Sequence, residues 1–199
     1  TYISAHDDYT LWDKLALVEP ISTLEDRVRM SKLAAAILLT SQGIPFIHSG
    51  EEILRSKKNK YGTRIKNSYI SPDHVNKFRW TRKEKYLEVF KYYKDLIHLR
   101  KKHKIFRMDS AKDIDENIRF LELGKNFYEK NIVGYIAEGS RVNDELGKIA
   151  VIFNGNNHDV EIKLDHDRFT VILNYNEIND NGIYNIKTST IKLKPISDL

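Results

Sequence analysis

The chain has 199 residues, 41% hydrophobic and 31% charged, the balance of a globular chain able to bury a sizeable core. It holds no cysteine, which excludes disulfides, thiolate zinc ligands and a thiol nucleophile, and no apolar run nears the roughly 18 residues of a membrane span. The formal charge of +5 is spread along the sequence except where Arg55, Lys57, Lys58, Lys60, Arg64 and Lys66 crowd together, and this run, with Tyr61 as its single stacking surface, reads as a solvated loop and not as a nucleic-acid site.

In chain order, Thr1 to Asp7 carries neither an initiator methionine nor a signal-peptide pattern, so the chain reads as starting inside a longer protein. Its compartment, secreted or cytoplasmic, stays open. Tyr2-Ile3-Ser4 is a short apolar stretch with the character of a strand. Ser22-x-x-Glu25 has the form of a capping box, and Val28, Leu33, Ala34, Ile37 and Leu38 follow at helical spacing until Gly43. Pro45 to His48, between Gly43 and Gly50, has the look of a strand buried on both faces. After a long polar loop, Thr81-x-x-Glu84 predicts a second helix start, with Tyr86, Val89, Phe90, Tyr93, Leu96 and Ile97 as its apolar face. Strands alternating with helices argue for a parallel βαβα segment. Two such units leave strand edges unpaired, which predicts self-association or a missing segment of the same protein as partner.

The second half changes character. Ile118–Leu123, Ile132–Ala137, Lys148–Asn154, Val160–Leu164, Phe169–Asn174 and Thr188–Leu193 are short and rich in β-branched residues. Turn signals such as Asn154-Gly155-Asn156-Asn157 and Asn179-Asp180-Asn181-Gly182 separate them, which suggests an antiparallel β-sandwich. The predicted division is residues 1–104 and 105–199, with the two parts packed together.

Chemistry gathers at His6-Asp7, just past the C-terminal end of the first predicted strand, where barrels of alternating strands and helices carry their active sites. A carboxylate there can hold sugar hydroxyls and stabilise positive charge at an anomeric carbon, and a neighbouring imidazole can donate to another hydroxyl. His98 and His103 are five apart and do not share a helix face, and His48-Ser49-Gly50-Glu51-Glu52 reads as a strand end and polar turn, so neither predicts a metal site. Tyr9 and Trp12 suit either sugar stacking or packing.

The run Tyr2-Ile3-Ser4-Ala5-His6-Asp7-Asp8-Tyr9-Thr10-Leu11-Trp12-Asp13, the block from Lys32 to Glu52 containing Ser41-Gln42-Gly43-Ile44-Pro45-Phe46, and the pieces Asn67-Ser68-Tyr69, Ser71-Pro72-Asp73 and Val75-Asn76 occur in one order. In that order they resemble the C-terminal portion of the type I pullulanases of the α-amylase superfamily. The resemblance is close over about the first 108 residues and loose beyond, where it rests on strand pattern and Pro195-Ile196-Ser197. It implies the last two strand-helix units of a (β/α)8 barrel followed by the C-terminal β-sandwich, an α/β plus β architecture. By the same resemblance Asp7 matches the catalytic carboxylate that stabilises the transition state, His6 a substrate-binding histidine, and Asp73 and Asn76 residues that hold sugars on the non-reducing side. Asp8 departs from the asparagine of the family pattern, and the basic loop from Ser56 to Lys66 is longer than in typical members.

The implied function is retaining hydrolysis of α-1,6-glucosidic bonds in pullulan, amylopectin or limit dextrins, with an α-glucan as partner and no nucleic acid or membrane. No organic cofactor is required; calcium accompanies some members of the family, and no residue here locates a site for it. No segment matches the family's nucleophile or general-acid motifs, which lie upstream, and Asp13, Glu51 and Glu52 fit neither role, so the chain by itself is expected to be inactive. The rival reading is a non-catalytic α-glucan-binding module built on the sandwich.

Overall fold

Three helix starts in this chain are written as a hydroxyl residue followed three positions later by aspartate. The computed structural model describes residues 1–121 and 131–199. Thr10 accepts from the Asp13 N–H at the start of α1 (Leu11–Val18), Thr23 and Asp26 form a reciprocal capping box on α2 (Leu24–Thr40), and Ser110 accepts from Asp113 N–H at α6 (Ala111–Asn117). The box on α2 therefore lies one residue beyond the predicted Ser22–Glu25 pair; Ser22 instead donates to the Glu19 carbonyl. The predicted box at Thr81 does not form, because Thr81 already lies inside α4 (Thr81–Lys85). Tyr86, at φ −122° and ψ 44°, breaks the expected single helix there, and α5 (Leu87–Lys102) follows.

The predicted apolar faces are largely buried: Leu33 and Leu38 on α2, and Val89, Tyr93 and Leu96 on α5, with Tyr86 just before it. At their edges Ile37 is 43% exposed and Ile97 turns outward, while Ala35, Ala36, Tyr92, Leu99 and Arg100 extend the buried line. α2 and α5 pack against each other, and the small Ala35 and Ala36 lie in the core they share.

The expected strands at Tyr2–Ser4 and Pro45–His48 reduce to one parallel bridge, Tyr2 to Phe46, with Phe46 N–H donating to the Thr1 carbonyl at 2.8 Å. Among the described residues neither stretch has a neighbour on its other flank, so the ladder does not lengthen. Tyr2 and Phe46 remain 67% and 49% exposed.

Beyond α5 the named strands pair antiparallel. They are β1 (Ile118–Phe120), β2 (Ile132–Glu138), β3 (Lys148–Asn154), β4 (Val160–Lys163), β5 (Phe169–Val171), β6 (Tyr184–Ile186), β7 (Thr190–Leu193) and β8 (Ser197–Asp198). They form a four-stranded sheet β1-β2-β3-β8 and two ribbons, β4-β7 and β5-β6. β6 and β8 had no counterpart in the sequence reading, and the predicted first strand's last two residues lie outside the described residues. Alternation along β3 divides the core. Val151 and Phe153 pack with Tyr135 and Ala137 against the helices, while Ile152 packs with Val160, Ile162, Ile191 and Leu193.

The helices and the four-stranded sheet share one core across the predicted boundary near residue 105. Polar ties reinforce it. Arg100, buried at the end of α5, donates to the carbonyls of Leu39, Ser41, Gly43 and Phe106. Tyr135 donates to the Thr40 carbonyl, and Tyr92 donates to Asp198 at 2.5 Å. His103 is buried, with Nδ1 2.9 Å from Asp144 Oδ1.

Candidate active site

The Tyr2–Phe46 bridge is parallel, so residues 5–8 and 48–51 emerge at the same end of the two strands. Gly50, at φ +100°, turns the second of them; a Cβ there would lie 2.7 Å from the Arg55 side chain. This turn brings Glu51 back under the first strand, where it accepts from Ser4 Oγ at 2.5 Å and His48 N–H at 3.3 Å. Burial pushes the Glu51 carboxyl up, against the pull of those two donors. His48, 8% exposed, is pushed down to about 4 by burial and then by the charges of Lys57, Arg55 and His6. It is neutral at neutral pH.

His6 and Asp7 stand on this floor. Their side chains are each 80% exposed, with His6 Nε2 3.6 Å from Asp7 Oδ2. Asp8 turns the chain away at φ +62°, a left-handed conformation that aspartate and asparagine tolerate. Its N–H donates to Asn67 Oδ1 at 3.0 Å, its own carboxylate accepts from Tyr9 N–H, and Lys66 lies 3.9 Å away. Lys66 of the basic loop thus places a cation beside the half-exposed Asp8 carboxylate.

Most of the loop's charge is used internally. Asp13, fully buried, accepts from Ser56 Oγ at 2.6 Å, Lys57 N–H at 2.7 Å and Thr10 Oγ1 at 3.1 Å, with Arg64 at 3.5 Å. Lys57 Nζ donates to Ser68 Oγ at 2.8 Å, and Arg55 donates to the carbonyls of Ser49 and Asn76. The sequence reading missed this hub, because Ser56 and Lys57 lie 43 and 44 positions along the chain from Asp13.

Asp73 opens the short helix α3 (Asp73–Asn76) and is exposed. Asn76 lies on the same turn, but its amide nitrogen donates to the Ser68 and Ser71 carbonyls at 2.7 and 3.2 Å, so its side chain staples the loop. Trp12 is core: it is 8% exposed, 6.0 Å from the Tyr86 ring, with Arg27 over it. The exposed aromatic surface is instead Tyr61, Tyr69 and Trp80, at 80%, 83% and 68%.

A family model described as alpha-1,6-glucosidases, pullulanase-type, C-terminal matches residues 67–191, more than half of the chain. The chain belongs to this pullulanase-type family. The pullulanase of Bacillus subtilis strain 168 is 36% identical over 166 residues, covering 83% of this chain and 22% of that protein. Pullulanase 1, chloroplastic, of Arabidopsis thaliana is 30% identical over 190 residues, covering 77% of this chain and 20% of that protein. The chain therefore spans about a fifth of these pullulanases. Among solved structures, pullulanase from Bacillus acidopullulyticus superposes with a TM-score of 0.87 at 35% identity over 100% of this chain and 23% of its own. The Bacillus subtilis type I pullulanase complexed with maltose gives 0.87 at 32% identity, covering 100% and 26%.

Proposed function

We propose that the chain supplies the C-terminal end of the catalytic barrel, and the β-sandwich behind it, to a debranching enzyme that cleaves α-1,6-glucosidic bonds with retention. The observation that carries this reading is the exposed His6–Asp7 pair just past the parallel Tyr2–Phe46 bridge, in a chain of pullulanase type. The maltose complex of the Bacillus subtilis enzyme supports an α-glucan as ligand.

In this reading Asp7 holds a full negative charge beside the anomeric carbon, where positive charge develops as the glycosidic bond breaks. His6 orients a hydroxyl of the same sugar. Ser4, Glu51 and His48 form the packed floor that fixes the strand ends. Asp73 reaches the neighbouring sugar, while Asn76 shapes its loop and offers only its amide oxygen. The nucleophile and general acid belong to a longer polypeptide, and the 199-residue chain alone is inactive. The barrel part is residues 1–104 and the sandwich residues 105–199.

The chemistry needs no organic cofactor. For calcium, no group of three or more acidic or imidazole side chains gathers among the described residues, so no step is routed through it.

Digestion of pullulan by the longer protein, with linear amylose as control, tests the function. Maltotriose from pullulan, and first-formed sugar with the α configuration by NMR, is the expected result. Cleavage of amylose with pullulan untouched would overturn the linkage, and β-configured product would overturn retention.

A further inference from the structure

Residues 57–65 form an ordered hairpin. Ile65 N–H donates to the Lys57 carbonyl, Lys58 pairs with Arg64, and Asn59 N–H donates to the Thr63 carbonyl. At the tip, Asn59 Oδ1 accepts from Tyr61 N–H at 3.0 Å and Thr63 N–H at 2.9 Å, while Gly62 takes the left-handed φ of +84° that closes the turn. Its base is tied to Asp13 through Lys57 N–H and Arg64, to Ser68 through Lys57 Nζ, and, just beyond, to Asp8, next to Asp7, through Lys66 and Asn67. At about 3.3 Å per residue, the four steps from Lys57 to Tyr61 put the tip up to roughly 13 Å from the base.

Tyr61 is 80% exposed there, so its ring contributes little to stability. Lys60 Nζ lies 5.0 Å from the ring centroid. An aromatic ring on a stiff turn is a low-entropy platform for an apolar ligand face. Its charged surroundings do not favour a polyanion: Arg55, Lys57, Arg64 and Lys66 are bonded within the protein, which leaves Lys58 and Lys60 without a carboxylate partner among the described residues.

We propose that Tyr61, at the tip of this hairpin, is an additional sugar-binding platform, stacking on the face of a glucose residue in the part of an α-glucan that extends away from His6 and Asp7. The proposal rests on the debranching reading, whose site it extends by one distal subsite.

The test measures pullulan kinetics in the longer protein carrying this chain. Tyr61→Ala is expected to raise KM about threefold to tenfold, equivalent to about 0.7–1.4 kcal/mol, with kcat changed less than twofold. Tyr61→Trp is expected to restore or lower KM, and unchanged thermal melting excludes misfolding as the cause. An unaltered KM in Tyr61→Ala would overturn the proposal. Affinity electrophoresis in pullulan gels, run in an Asp7→Asn background, gives a second readout independent of turnover. If the parent hydrolyses no pullulan, the debranching reading fails, while loss or retention of gel retardation on Tyr61→Ala still decides the hairpin's role. Salt-sensitive retention of single-stranded oligonucleotide that Tyr61→Ala abolishes would assign the tip to nucleic acid and overturn the sugar platform.

Discussion

Two buried titratable groups set opposite pH trends. His48 is held at about 4 against an ordinary 6.5, so between these values the unfolded chain binds a proton that the folded one does not, and stability falls as pH drops from about 6.5 to 4. Asp198 is raised to about 6 against 3.8, first by burial, so the folded chain holds the extra proton and stability falls as pH rises from about 4 to 6. His48→Gln should flatten the acid-side loss, and Asp198→Asn should raise stability at pH 7 by about 1–2 kcal/mol; melting curves from pH 4 to 7.5 check both signs. Asn76→Asp separates two roles. If the amide staples the loop, the change removes donors to Ser68 and Ser71 and costs about 1–3 kcal/mol, whereas a residue that only touches sugar would alter KM and leave the melting temperature in place. At this scale the sequence was partly legible. The placement of His6 and Asp7 just past a parallel pairing could be read from the sequence, but the bonding of Asp13 and Asn76 reaches residues 5 to 44 positions away, which no local pattern encodes.

At the scale of elements, the hydroxyl-x-x-aspartate signal explains three helix starts and one misreading. The sequence pointed to Ser22, and the adjacent Thr23 caps the helix instead because its partner Asp26 closes the reciprocal pair. Thr23→Ala should therefore cost about 1 kcal/mol and lower the melting temperature by about 2–4 °C, while Ser22→Ala should cost less. A larger loss at Ser22 would contradict the assignment. The helix faces were legible from their spacing: Leu33, Leu38, Val89, Tyr93 and Leu96 are buried as expected, and Ile37 and Ile97 turn out at the edges of those faces. The strands from Ile132 to Asn154 were legible from β-branched runs, while two-residue β8 gains its place from pairing with β3 and from Tyr92 holding Asp198.

At the scale of the whole molecule, one core ties the helices to the four-stranded sheet, while the outer flank of the Tyr2–Phe46 bridge stays uncovered. Ile44 is 87% exposed beside it. The isolated chain is thus expected to associate with itself at rising concentration, and a monomer across the range in sedimentation velocity would contradict that expectation. The same uncovered flank is where the proposed remainder of the barrel would sit, with the nucleophile and acid facing Asp7. Asp7→Asn in the longer protein is the most direct test. Asp7 is 80% exposed and lies 3.6 Å from His6, so the fold should persist with an unchanged melting temperature. Pullulan turnover should drop on the order of a hundredfold to a thousandfold or more; turnover within a few-fold of the parent would contradict the account.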